Sequence, residues 1–255
     1  MALKSDKSKP TKKKPIKKVE KGKKMVPPRT PKVTPPQKRD LRHIDPKNRT
    51  QESVFQEFQK GKHLVLHGSA GTGKTFLSMF LALQEVQRRE TNHRKVIIIR
   101  SVVPTREVGF LPGSLEEKIS VYEVPYENIC SDLYCNKLAY SELKEQEKLY
   151  FSSTSFVRGV TFDNAIIIVD ECQNMTFHEL DSIITRCGNN CKILFCGDWF
   201  QSDLKNSGFK EFMEILKAMS SFKCIQFSIS DIVRSGIVRE YILEKQNIQK
   251  IVSPL

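Results

Sequence analysis

Hydrophobic positions along this chain form short continuous runs separated by longer amphipathic stretches. Leu64–Leu66, Lys95–Arg100 (KVIIIR), Ala165–Val169, Lys192–Cys196 and Phe222–Phe227 are of strand length. Runs without polar alternation suit a parallel sheet covered on both faces. Leu149–Arg158 alternates enough to read as a further strand. Between the runs lie helical patterns: Gln51–Lys60, Lys74 to about Arg89, residues 118–149 with breaks near Pro125 and Cys135, Phe177 to about Cys187, Gly208–Met219 and Ile237–Gln246. The stretch SVVPTREVGFLPGSLEEK reads as an ordered loop ending in a capping box, Ser114 with Glu117. Strands alternating with helices predict a three-layer α/β/α fold with a mainly parallel sheet. In such sheets ligands sit beyond the carboxyl ends of the strands.

One such end carries a recognisable pattern. The first apolar run leads into GSAGTGKTF, in which Gly68, Gly73, Lys74 and Thr75 satisfy G-x-x-x-x-G-K-[ST] between a strand and an apolar helix. Glycines let the backbone curl and aim N–H groups at phosphate oxygens, and the helix adds the positive end of its dipole. Gly68, Ser69, Ala70, Gly71, Thr72, Gly73, Lys74, Thr75 and Phe76 are therefore the candidate nucleotide cradle. Lys74 is placed for the β- and γ-phosphates and the Thr75 hydroxyl for Mg²⁺. Gln51, shortly upstream, can offer one donor and one acceptor to the N6/N7 edge of adenine.

Other strand ends bring further chemistry. IIIVDE ends in Asp170, a candidate Mg²⁺ carboxylate opposite Thr75, and Glu171, a candidate base for the attacking water. Gln201, after Asp198, can sense the γ-phosphate, and Arg234 in SDIVRSG can stabilise charge on the transferred phosphoryl group.

Charge changes the picture at one end of the chain. Residues 1–39 hold 15 Lys+Arg against 2 Asp+Glu, the entire excess of +13; the remaining 27 and 27 cancel. The first 39 residues are Lys- and Pro-rich without an aromatic residue. Such a segment buries too little apolar surface to offset its ordering entropy, so residues 1–47 are expected to form a disordered tail before a domain spanning 48–255. Two readings of the tail stand side by side: a polyelectrolyte arm for single-stranded RNA or DNA, and a solubilising or localising extension. No apolar run has the length of a signal or a membrane span. Seven Cys, an odd number, point to reduced thiols in a cytoplasmic setting, with burial favoured over zinc for Cys187, Cys191 and Cys196.

Taken together, GSAGTGKT, RSVVPTREVGFLPGSLEEKI, RGVTFDNAIIIVDECQN, CGDWFQSDL and SDIVRSGIV resemble, in order, the motifs of the PhoH family of P-loop ATPases. That core is similar to the first motor domain of superfamily 1 helicases, so the resemblance implies a RecA-like domain that binds and hydrolyses ATP with Mg²⁺. Gln51, Lys74, Thr75, Asp170, Glu171, Gln201 and Arg234 match the family's nucleotide motifs. Ser69, Val160, Cys172 and Ser235 stand where the family usually has Pro, a basic residue, Ala and His. Residues 1–47 are too short for the PIN nuclease domain of some relatives, and the short basic-tailed form looks like those of bacteriophages, which implies the host cytoplasm. A single motor domain leaves two expectations. Either subunits form a ring, with six as the family-based number and Arg234 reaching a neighbour's ATP, or the chain is no motor. The rival class is a nucleotide-gated binding module with negligible turnover; a viral packaging motor is the third reading.

Overall fold

Six strands run parallel in one sheet: β1 (His63–Gly68), β2 (Lys95–Arg100), β3 (Leu149–Ser153), β4 (Ala165–Asp170), β5 (Lys192–Gly197) and β6 (Phe222–Phe227), in the order β3-β2-β4-β5-β1-β6. The structure, a computed structural model, describes residues 40–102, 115–198 and 208–252, without the side chains of 115–118, 246–247 and 249–252. Residues 1–39, the Ser114 cap and Gln201 lie outside the described residues. Residues 40–47, expected within the disordered tail, are described: Leu41 and Ile44 pack against the hydrophobic core, and Arg42 N–H donates to Leu133 O at 2.8 Å.

Alternation along the strands explains their unbroken apolar runs. Leu64, Leu66, Val96, Ile98, Ile166, Ile168 and Leu194 face one core with α1 (Arg49–Gln59), α2 (Lys74–Gln87), α3 (Leu115–Tyr134) and α4 (Ala139–Glu145). Val65, Ile97, Ile99, Ile167, Val169, Ile193 and Phe195 face a second core with α5 (Phe177–Ile184) and α6 (Phe209–Ala218). Both faces of each central strand are thus dry, and no polar alternation survives. A last helix, α7 (Gly236–Val252), follows the short turn after β6. No described helix is long and apolar enough to cross a membrane.

Two expectations are corrected. The helix does not break at Pro125: α3 runs through it to Tyr134, and the break comes at Cys135, with φ 50°. Proline deletes the hydrogen bond to the Val121 carbonyl, but Val121 is exposed, so water can take that acceptor. Meanwhile Tyr126, Cys130 and Leu133 are fully buried and hold the helix to the sheet. The strand from Leu149 ends at Ser153 instead of Arg158, giving way to a short 3₁₀ turn at Thr154–Phe156. Its partner β2 ends there too, since Arg100 pairs with Ser153, and an edge strand cannot outrun its one neighbour.

The second core is keyed by Phe195, fully buried, edge-on to Phe212 at 5.2 Å between ring centroids and 6.2 Å from Phe222. Phe195→Ala is expected to lower unfolding free energy by about 3–5 kcal/mol in chemical denaturation, because a cavity remains where three rings met.

Candidate functional site

Parallel pairing puts the carboxyl ends of β1, β2, β4 and β5 on one edge, and a cavity of about 620 Å³ opens there. Ala70, Gly71, Gly73, Lys74, Thr75 and Phe76 form one wall, Asp170, Glu171, Gly197 and Asp198 another. Asp45, Lys47 and Gln51 approach from before and within α1, and Arg234, Val238 and Ile242 from the start of α7.

The loop divides between lining and bracing. Gly68 has φ 115°, and a Cβ there would collide with the Phe227 carbonyl oxygen of β6, so only glycine fits. Ser69 N–H donates to that same carbonyl at 3.1 Å, and Thr72 Oγ1 donates to Ser69 O at 3.0 Å. Gly68, Ser69 and Thr72 thus shape the loop from below, while its other residues face the cavity. No side chain caps the start of α2, whose N-cap is Gly73, so its first amides stay free of a competing side-chain oxygen.

Charged groups converge from distant segments. Thr75 Oγ1 donates to Asp170 Oδ1 at 2.8 Å, and the Tyr126 phenol donates to Asp170 Oδ2 at 2.8 Å. Lys74 Nζ donates to the Gly68 and Ser69 carbonyls, each at 2.8 Å. Burial holds the Asp170 carboxyl above its ordinary pKa, helped by neighbouring Glu171 and opposed by Tyr126, Thr75 and Arg100. Burial likewise pulls Lys74 below the usual lysine range, opposed foremost by Asp198.

Glu171 follows β4 directly, yet reaches the same crevice as Asp170. It does so in the left-handed region, φ 50°, which turns the chain at the strand end. Gln173, to which the sequence reading gave no role, holds this arrangement. Its Nε2 donates to Glu171 Oε2 at 2.6 Å, and its Oε1 accepts from Asp198 N–H at 3.0 Å. Gln173 stands among the motif residues DECQ, but only the fold shows it bridging two strand ends. Tyr126 was equally unmarked, lying in a stretch without a motif.

Gln51 is buried against the loop. Its Oε1 accepts from Lys47 N–H at 2.8 Å and its Nε2 donates to Thr72 O at 3.1 Å. A carboxamide so engaged retains one N–H and one lone pair, the number an adenine edge needs. The Arg234 side chain crosses its own chain's loop, where a Cβ on Gly71 would lie 3.3 Å from its Cδ. The cause is local, since Val233 N–H donates to Gly71 O at 3.1 Å and pins the segment there. Of the cysteines, Cys130, Cys172 and Cys196 are buried, Cys187, Cys191 and Cys224 half-buried, and Cys135 exposed. Among the described residues no group of three or more His, Cys, Asp or Glu could hold a metal ion.

A phosphate-binding loop on β1, with an acidic strand end two strands away and one strand between, defines a P-loop NTPase domain of RecA-like architecture. The chain belongs to the PhoH-like protein family, whose model matches residues 43–245. It is 33% identical over 197 residues to a PhoH-like protein of Synechocystis, covering 75% of this chain and 59% of that protein. It is 29% identical over 204 residues to Protein PhoH of Escherichia coli, covering 78% and 57%. The chain therefore spans somewhat over half the length of these curated relatives. Among solved structures, the large terminase of bacteriophage D6E aligns with TM-score 0.46 and 15% identity, over 83% of this chain and 52% of that one. The Pif1 helicase of Candida albicans aligns with TM-score 0.35 and 16% identity, over 72% and 40%.

His67 on β1 lies just below the loop and is buried; burial, then Lys217 and Lys74, pushes its pKa from 6.5 to about 4. A folded pKa below the unfolded one gives stability that is complete above pH 6.5 and is lost as pH falls towards 4. At pH 5 the loss is about 2 kcal/mol at 1.4 kcal/mol per unit. His67→Gln should flatten the decline in denaturation midpoint between pH 7 and pH 5 relative to wild type.

Proposed function

We propose that this chain is a Mg²⁺-dependent ATPase. The observation that carries this reading is the meeting of Lys74, Thr75, Asp170 and Glu171 in one cavity at the uncapped start of α2. Thr75 and Asp170 present hard oxygen donors 2.8 Å apart, a set that fits Mg²⁺. These two residues would hold the ion, which when bound supplies positive charge beside the β- and γ-phosphates.

The chain's own groups then have distinct tasks. Loop amides of Ala70 to Thr75 cradle the phosphates, and Lys74 turns from loop carbonyls to the β- and γ-oxygens. Gln51 offers its remaining N–H and lone pair to adenine. Glu171, oriented by Gln173, accepts the proton of the water that attacks the γ-phosphorus. Arg234 meets the charge spread over the transferred group, and from its position over Gly71 it serves its own chain's nucleotide. Hydrolysis on this reading needs no neighbouring subunit, and Gln201 is assigned to the γ-phosphate from sequence alone.

Lys74→Ala should lose most affinity for a fluorescent ATP analogue. Glu171→Gln should bind it as wild type does and lose turnover by about 10²–10⁴-fold. Wild-type turnover in Glu171→Gln would remove Glu171 as the base, and undetectable turnover in the wild type would favour the nucleotide-gated binding module.

The tail is proposed to hold single-stranded RNA or DNA through phosphate contacts. Binding should weaken with salt with a logarithmic slope of about −0.7 per phosphate neutralised. Removing residues 1–39 should flatten that slope and leave basal ATP hydrolysis unchanged. Equal salt slopes for both forms in fluorescence anisotropy would place the nucleic-acid contact on the domain.

A further inference from the structure

Asp170 has two carboxylate oxygens, and each has its own donor. Oδ1 is held by Thr75 of α2 and Oδ2 by the phenol of Tyr126 of α3, both at 2.8 Å. We propose that Tyr126 is a positioning residue for the metal-site carboxylate, so that α3 as well as the phosphate loop fixes the plane in which Asp170 faces the cation. This rests on the assignment of Asp170 to Mg²⁺.

The terminal torsion of an aspartate is broad and roughly two-fold. One hydrogen bond leaves the carboxylate free to swing about the bonded oxygen. A second, on the other oxygen and from another element, fixes the plane. A donor to an ionised carboxylate is also about twice as strong as a neutral pair. Tyr126 is fully buried and Asp170 nearly so, so water is not at hand to replace the phenol.

The phenol is itself held in place. Its ring packs on Phe151 of β3 with centroids 5.7 Å apart. The Arg100 guanidinium adjoins both the phenol and Asp170, and its carbon lies 5.7 Å from the ring of Tyr122, one turn earlier on α3. Arg100 is also the register partner of Asp170 in the β2–β4 pairing, which puts the two side chains at one level of the sheet edge. Tyr126 is not among the residues lining the cavity, whereas Ile129, three residues on, is. It therefore acts through Asp170 without touching the nucleotide.

Tyr126→Phe removes one oxygen and keeps the ring on Phe151. In the full-length protein, binding of a fluorescent ATP analogue is measured by titrating Mg²⁺ at fixed nucleotide, and again in EDTA. The Mg²⁺ concentration for half-maximal enhancement should rise about five- to tenfold, while affinity in EDTA stays unchanged within about twofold. Turnover should fall at low Mg²⁺ and recover at high Mg²⁺. An unchanged Mg²⁺ half-point overturns the proposal, as does an equal loss of affinity with and without the metal, which marks a general packing role. Phe151→Leu, which loosens the packing that holds the Tyr126 ring, provides a second arm and should move the half-point the same way by a smaller factor. No shift there with a foldless Tyr126→Phe also overturns it. Asp170→Asn serves as the control: if its own Mg²⁺ titration matches wild type, the metal assignment of Asp170 has failed rather than the role of Tyr126.

Discussion

The hydrogen bond between Thr75 and Asp170 joins elements whose strands are not neighbours. β1 and β4 are separated by β5, so the loop and the first turn of α2 must lean across the end of an intervening strand. Strand axes lie about 4.8 Å apart, so the gap to be spanned is about 10 Å. That end must stay low. β5 finishes on Gly197, where a Cβ would come within 2.6 Å of the Cys172 sulfur and 3.0 Å of Gln173 Oε1. The bare end of β5 lets Cys172 and Gln173, the segment just after Asp170 and Glu171, pack close over it.

The same crowding sets the electrostatics. Asp170 and Lys74 are both driven by burial towards their neutral forms; hydrogen bonds from Tyr126 and Thr75 with Arg100 oppose this for Asp170, and acidic groups led by Asp198 oppose it for Lys74. Carboxylates beside a partly buried ammonium and a row of amides present both signs of charge to one cavity. Donors on both Asp170 oxygens and on the Glu171 carboxylate keep these groups oriented through polar contacts. The orientation is thus a property of α3 and of Gln173 as well as of the loop.

Arg234 shows how a short backbone contact positions a side chain far from the loop in sequence. In a ring, a motif arginine can serve the adjacent subunit. Here the bond from Val233 to Gly71 ties the arginine's segment to the loop that precedes α2 in the same chain. The reach of the side chain then falls over its own nucleotide cradle.

Much of the fold was legible because its signals are local. Continuous apolar runs mark strands dry on both faces, and the loop motif is contiguous, so its backbone chemistry travels with it from Gly68 to Thr75. The pairing of Thr75 with Asp170 could be read too, since each closes a recognisable strand–loop unit. What sequence alone did not decide depends on packing between segments far apart. Pro125 reads as a helix break, yet the burial of Tyr126, Cys130 and Leu133 outweighs the lost backbone bond. The donor from Tyr126 reaches Asp170 across 44 positions, and that from Asp198 reaches Gln173 across 25. No periodicity or spacing encodes such contacts. They follow from which helix lies on which face of the sheet, and from which strand ends the parallel register brings to one edge.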